Sequence, residues 1–179
     1  MNVHVAEPIW MYEPMDRHND GLMNALEWRL DNQPDILGHA EVVATLDRAL
    51  ERHPDTTFIA CHFANCSYDL SILGRMFDDH PNLHADIAAR YAETAPVPRY
   101  TARFFEKYAD RLLYGTDMGF ERDMYITTLR ILQTEDEHFY DFELFDYHWP
   151  LHGLGLADEV LKKVYAENAR RILAQRRAD

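Results

Sequence analysis

His4, His62, Asp86 and Asp117 have side chains suited to binding a cation or moving a proton, and they recur at or near the ends of short apolar runs. Imidazole nitrogen and carboxylate oxygen are the donors that suit zinc and similar divalent ions. A second histidine nearby can act as general base on a metal-bound water. The four are separated by 58, 24 and 31 residues. One strand-plus-helix unit of an eightfold barrel takes about 31 residues, from about 250 residues for eight units. The last two separations match one unit each, and the first matches one unit enlarged by an insertion. Taken singly, each residue has an ordinary structural reading. His4 and His62 could be satisfied core imidazoles, Asp86 a loop anchor through backbone N–H groups, and Gly115-Thr116-Asp117 a helix entry. Their joint spacing favours His4, His62 and Asp117 as one catalytic site at the C-terminal ends of successive strands, the face on which barrel enzymes build their sites.

Such residues need strands and helices to hold them. Strand-like runs cover 2–6, 56–62 (TTFIACH), 82–88 (NLHADIA) and 111–116 (RLLYGT). Each is short, apolar and followed by helical pattern, which suits strands buried on both faces of a parallel sheet. Helical periodicity covers 40–53, 67–80 with Ser67 as N-cap, 98–110, 122–133, and 158–176 with Asp158 as N-cap. In the last helix Val160, Leu161, Val164, Ile172 and Leu173 point inward, and Arg170, Arg171, Arg176 and Arg177 lie where the helix dipole is negative. Strand–helix alternation predicts an α/β fold with parallel strands and right-handed crossovers, in a single domain over 1–179. Two stretches break the alternation: 9–38, and 137–153 with six aromatics. Long loops in compact domains are functional or interface-forming as a rule, so a lid or subunit contact is expected, with direct substrate contact as the alternative.

Composition bounds the function. The net charge of −13 argues against nucleic-acid or anionic-membrane partners, because phosphate binding needs a surplus of Lys and Arg. With 47% apolar and 12% aromatic residues over 179 positions, the chain can bury a core. No apolar run is long enough to span a bilayer, and the opening residues do not read as a signal peptide. Cys61 and Cys66 read as reduced, buried thiols of a cytoplasmic protein.

Several segments together resemble the amidohydrolase superfamily, in the amidohydrolase-related branch that includes aminocarboxymuconate semialdehyde decarboxylase. They are VHVAEP at 3–8, TTFIACHFAN at 56–65, PNLHADIAAR at 81–90, DRLLYGTDMGF at 110–120 and GLGLADEVLKKVYAENARRIL at 153–173. The resemblance implies a (β/α)8 TIM barrel with one or two divalent metals, zinc first and manganese or another ion as alternatives. His4 corresponds to a fifth-strand metal ligand, His62 to a sixth-strand ligand or acid/base, and Asp117 to the eighth-strand Asp that binds metal and handles the proton of water. Asn168 falls in the closing Glu-Asn-Ala pattern, where a structural role is expected.

The sequence departs from that family in one large way. Family members begin with a first-strand His-x-His pair, and here no two histidines stand two residues apart. The chain therefore reads as the C-terminal part of the barrel, strands five to eight with their helices. That reading predicts two open sheet edges, at 2–6 and 111–116, and hence a homo-oligomer paired through them or marginal stability. It also predicts weak metal binding and little activity from the chain alone. His18, His39, His148 and His152, placed in the two long loops, are candidates to approach the metal, with solvent or packing as the alternative. Arg90 could pair with a substrate carboxylate or form a structural ion pair. Glu7 could contact substrate or lie in a surface turn. The expected activity is metal-dependent hydrolysis of a small organic substrate. Decarboxylation, or a non-catalytic fragment, are the alternatives.

Overall fold

The computed structural model describes residues 1–21, 25–145 and 147–175. Four short strands form one parallel sheet in sequential order: β1 (Asn2–Val3), β2 (Phe58–Ala60), β3 (Leu83–Asp86) and β4 (Leu112–Leu113). Register places Val3 beside Ala60, Ala60 beside Ala85, and Ala85 beside Leu112. The strands are shorter than the apolar runs that contain them, by one or more residues at one or both ends. Between the strands run α1 (His39–Arg52), α2 (Leu70–Asp79), the short α3 (Tyr91–Thr94) and α4 (Pro98–Lys107). After β4 come α5 (Arg122–Gln133) and α6 (Asp158–Lys162), then a π-helical segment Lys163–Glu167 that leads into α7 (Asn168–Gln175). This is the expected α/β architecture with parallel strands.

The core lies between the sheet and its helices, with Met124, Ile131 and Leu132 of α5 and Val160 and Leu161 of α6 continuous with the part under α1, α2 and α4. Leu46 and Leu50 of α1, Leu70, Leu73 and Phe77 of α2, and Phe104 and Phe105 of α4 are all buried against it. Their spacing of three and four residues puts each set on one helical face, as the periodicity predicts. Pro98 opens α4 at a position where its missing N–H removes no helical hydrogen bond.

Some boundaries differ from expectation for identifiable reasons. Asp69, not Ser67, caps α2: its side chain accepts from Ser71 N at 2.9 Å, and the Ser67 hydroxyl is spent on Glu93. Ala157 is the N-cap of α6, and Asp158 and Glu159 stand in its first turn, where carboxylates meet the positive end of the dipole. Leu173 is 59% exposed rather than inward. His39 is not in a loop but is the buried first residue of α1. Arg176 and Arg177 lie outside the described residues.

The edge expected to be open at β4 is covered. Tyr114 N donates to Val164 O at 2.9 Å, and Asn168 Nδ2 donates to Leu112 O at 2.8 Å and to Ala109 O at 2.7 Å. Leu113 O is taken by Ile87 N, so Leu112 O and Tyr114 N face the other way, toward the last helix. A π-helical turn leaves carbonyls out of the regular ladder, and Val164 O lies in this one, serving the strand instead. The expected structural role of Asn168 is this edge closure. At the opposite margin, β1 pairs with β2 and, among the described residues, with no other strand.

His84 is the second residue of β3. It is 6% exposed, and both its ring nitrogens lack a hydrogen-bond partner. Burial, reinforced by the Arg111 and Arg171 cations, pushes its imidazole down to about 4.

Candidate functional site

Each of the four strands is followed by residues in the left-handed region: Ala6 after β1, His62 to Asn65 after β2, Ala89 after β3 and Asp117 after β4. None of these is glycine, and at Ala6, Phe63, Ala64 and Ala89 the conformation costs about 1–2 kcal/mol each. The costliest is the turn Cys61–Asn65, where φ is 60°, 55°, 54° and 54° at His62, Phe63, Ala64 and Asn65. Strain of this kind persists only where surrounding contacts over-determine the backbone, and it gathers at functional sites. Here it turns the chain sharply enough to set His62 on the rim of the sheet.

Asp86 holds that turn from β3. Its Oδ1 accepts from His62 N at 2.8 Å and from Ala88 N at 3.1 Å. The loop-anchor reading of Asp86 is the one the geometry supports. The His62 ring is buried, and Nδ1 lies 3.0 Å from Ala88 O. A carbonyl only accepts, so Nδ1 carries the proton and Nε2 of the neutral ring presents a lone pair. That Nε2 faces Asp117 Oδ2 at 3.7 Å. The ring of His4 meets the His62 ring edge-on, with centroids 5.0 Å apart, and His4 Nε2 lies 3.9 Å from Glu7 Oε1. The three residues predicted to share a site therefore do come together, on a cavity of about 330 Å3 that Glu7 and Arg90 also line.

Both irregular stretches wall that cavity. Trp10, Met11 and Trp28 come from the first, and Leu144, Phe145 and Tyr147 from the second. His148 Nε2 lies 3.3 Å from Asp20 Oδ1, which ties the two stretches together, and Trp149 Nε1 donates to Ala92 O at 2.8 Å. Burial pushes the Tyr147 phenol up to about 12, with Glu93 adding to the effect, so it stays a neutral donor at ordinary pH.

Arg90 sits almost wholly inside the protein, with Nε on Asn65 Oδ1 at 2.9 Å and Nη1 on Glu93 Oε1 at 3.1 Å. Glu93 also takes the Ser67 hydroxyl and, at 3.4 Å, Trp10 Nε1. The structural ion pair is thus real, while the guanidinium still borders the cavity. Cys61 is no nucleophile here. Burial first, then the carboxylates of Asp86 and Asp117, push its thiol up to about 11, and burial pushes Cys66 to about 12. His39 Nε2 donates to Asn65 O at 3.0 Å, and burial holds its ring below the usual imidazole range.

The donor chemistry at His62 and Asp117 fits a divalent ion, but the number of donors does not. Catalytic zinc takes three protein ligands. Among the described residues, no three His, Cys, Asp or Glu side chains gather closely enough to hold an ion.

Sequence reasoning missed Asn65, Glu93, Trp10 and the Ala88 carbonyl. CHFAN lacks glycine, and although His62 and Asn65 tolerate the left-handed region, Phe63 and Ala64 between them give no sign of four such residues in a row.

A family model described as amidohydrolase, Amidohydro_2, matches residues 3–175. No curated protein and no solved structure matches the chain. Amidohydrolases generally bind divalent metals and act as hydrolase-type enzymes, and the match runs through His4, His62, Asp117 and Asn168 alike. The chain belongs to the amidohydrolase family.

Proposed function

We propose that this chain carries the acid–base part of a hydrolase site for a small organic substrate, with His62 and Asp117 handling the proton. The observation that carries this reading is the His62 ring, oriented by Nδ1 on Ala88 O, with its Nε2 facing Asp117 Oδ2 at 3.7 Å on a shared cavity. That gap suits a water donating one O–H to each group. When the water oxygen attacks a substrate carbonyl, its proton passes to His62 or Asp117, and the same group returns it to the departing oxygen or nitrogen. Arg90 supplies a planar cation for a substrate carboxylate, and Glu7 contacts the substrate at the rim. The rings of Trp10, Trp28 and Tyr147 accommodate a cyclic or planar body.

The family's divalent ion, zinc or manganese, would rest on His62 and Asp117 with His4 beside them. Two donors hold such an ion weakly, so we propose that full turnover needs donors this sheet does not supply, and that the chain alone is at most feebly active. Equilibrium zinc uptake by the purified protein, together with hydrolysis of a panel of small esters, amides and lactones, tests the reading. Weak uptake that disappears in both His62→Gln and Asp117→Asn is expected, with any turnover lost alongside it. Uptake or turnover that survives both substitutions would overturn it.

A further inference from the structure

Asn65 is fully buried, and its partners fix its orientation. Val5 O and Ala6 O only accept, so the amide nitrogen faces them, at 3.2 and 2.9 Å. Arg90 Nε only donates, so the amide oxygen faces it, at 2.9 Å. One side chain thus joins the C-terminal ends of β1, β2 and β3.

Those ends carry the site. Val5 directly follows His4. Asn65 closes the left-handed turn that begins at His62. Arg90 follows Ala88, whose carbonyl fixes the His62 ring, by two residues. The β1–β2 ladder pairs only Asn2 with Ile59 and Val3 with Ala60, so it stops before His4. Among the described residues, the hydrogen bonds that tie residues 4–6 to the β2 side come from Asn65.

We infer that Asn65 is a positioning residue: it sets the distance and angle between the His4 and His62 imidazoles and so fixes the cavity edge on which His62 acts. The functional weight of this inference rests on the reading of His62 as the acid–base group. Asn65 itself touches no substrate and reaches the chemistry through the two histidines.

A purely structural amide would do something different, and the molecule contains one for comparison. Asn168 is 1% exposed and also donates to two carbonyls, those of Ala109 and Leu112, but at the β4 edge. The test is a nuclear Overhauser contact between the His4 and His62 rings in histidine-labelled protein, whose centroids lie 5.0 Å apart. Asn65→Asp keeps an acceptor for Arg90 and replaces the donor to Val5 O and Ala6 O with an oxygen. Loss of the inter-ring contact is expected in Asn65→Asp, with the amide signals of β4 and α7 unchanged, while Asn168→Asp keeps the contact. Arg90→Gln, which removes the guanidinium that anchors the Asn65 oxygen, is expected to weaken the contact, and it decides the matter should Asn65→Asp fail to fold. Wild-type contact intensity in folded Asn65→Asp, or in Arg90→Gln, would overturn the inference, as would equal loss in Asn168→Asp. The measurement needs no turnover. A failed hydrolysis and zinc test with this pattern intact would remove the proposed function and leave the positioning role standing.

Discussion

At the outer edge of β4, a buried asparagine and a π-helical carbonyl close a sheet that would otherwise offer unpaired backbone groups. At the C-terminal ends of β1 to β3, another buried asparagine makes the same kind of bonds to a backbone that has already left the ladder. The first region keeps right-handed backbone throughout, a π-helical segment that passes into α7 at Asn168. The second contains the left-handed turn Cys61–Asn65 and places two imidazoles and a carboxylate on one cavity. The contrast separates stability from positioning. One amide satisfies a strand edge, which any β fold must do; the other holds strained chain ends whose only evident product is the approach of His62 to His4 and Asp117.

If that separation is right, pH and mutation should act on the two regions differently. The largest effect belongs to His84, on β3 near the Arg111 and Arg171 cations and not among the residues that line the cavity. Its folded value is pushed down to about 4 from an ordinary value of 6.5. The unfolded chain therefore takes up a proton first as the solution is acidified. The stability tied to the neutral ring is fully present above about pH 6.5 and is lost as pH falls toward about 4, an effect on the order of 3 kcal/mol. Denaturant unfolding across that window should show wild-type stability falling with acid, and His84→Leu should flatten the fall while leaving the His4–His62 contact in place. An unchanged slope in His84→Leu would contradict the assignment. Next in size is Asn168→Ala, which strands the buried carbonyls of Ala109 and Leu112. Thermal or denaturant unfolding should register a loss of about 2 kcal/mol, again with the imidazole pair unmoved. A loss of that pair in Asn168→Ala would merge the two regions and dissolve the comparison.

The same contrast explains what could be read from the sequence. The helices were readable because Leu46 and Leu50, or Leu70, Leu73 and Phe77, repeat with the helical period, and proline marks the end of α1 and the opening of α4. The strands were readable as apolar runs, although their ladders are only two to four residues long. His62 and Asp117 were readable because their types and separations match a strand–helix unit. The β4 edge was misread: an open margin follows from counting strands, and its closure depends on a π-helical turn that no local pattern announces. The turn at His62–Asn65 was hidden for a deeper reason. Its two inner residues, Phe63 and Ala64, are poor left-handed formers, so local propensity does not carry the conformation through the run of four. It exists because Asp86, Asn65 and Arg90, from two different strand ends, over-determine it, and such cooperation is invisible until the strands are side by side.

The central claim is that His62 offers a bare Nε2 to Asp117 because its Nδ1 proton is committed to the Ala88 carbonyl. Long-range proton–nitrogen correlation spectra of the labelled imidazole read the tautomer directly, at a pH where the ring is neutral. The account requires the Nδ1–H form in the folded protein, retained in Asp117→Asn because the backbone carbonyl and not the carboxylate sets it. An Nε2–H ring, or a rapidly exchanging mixture of the two tautomers, would contradict it.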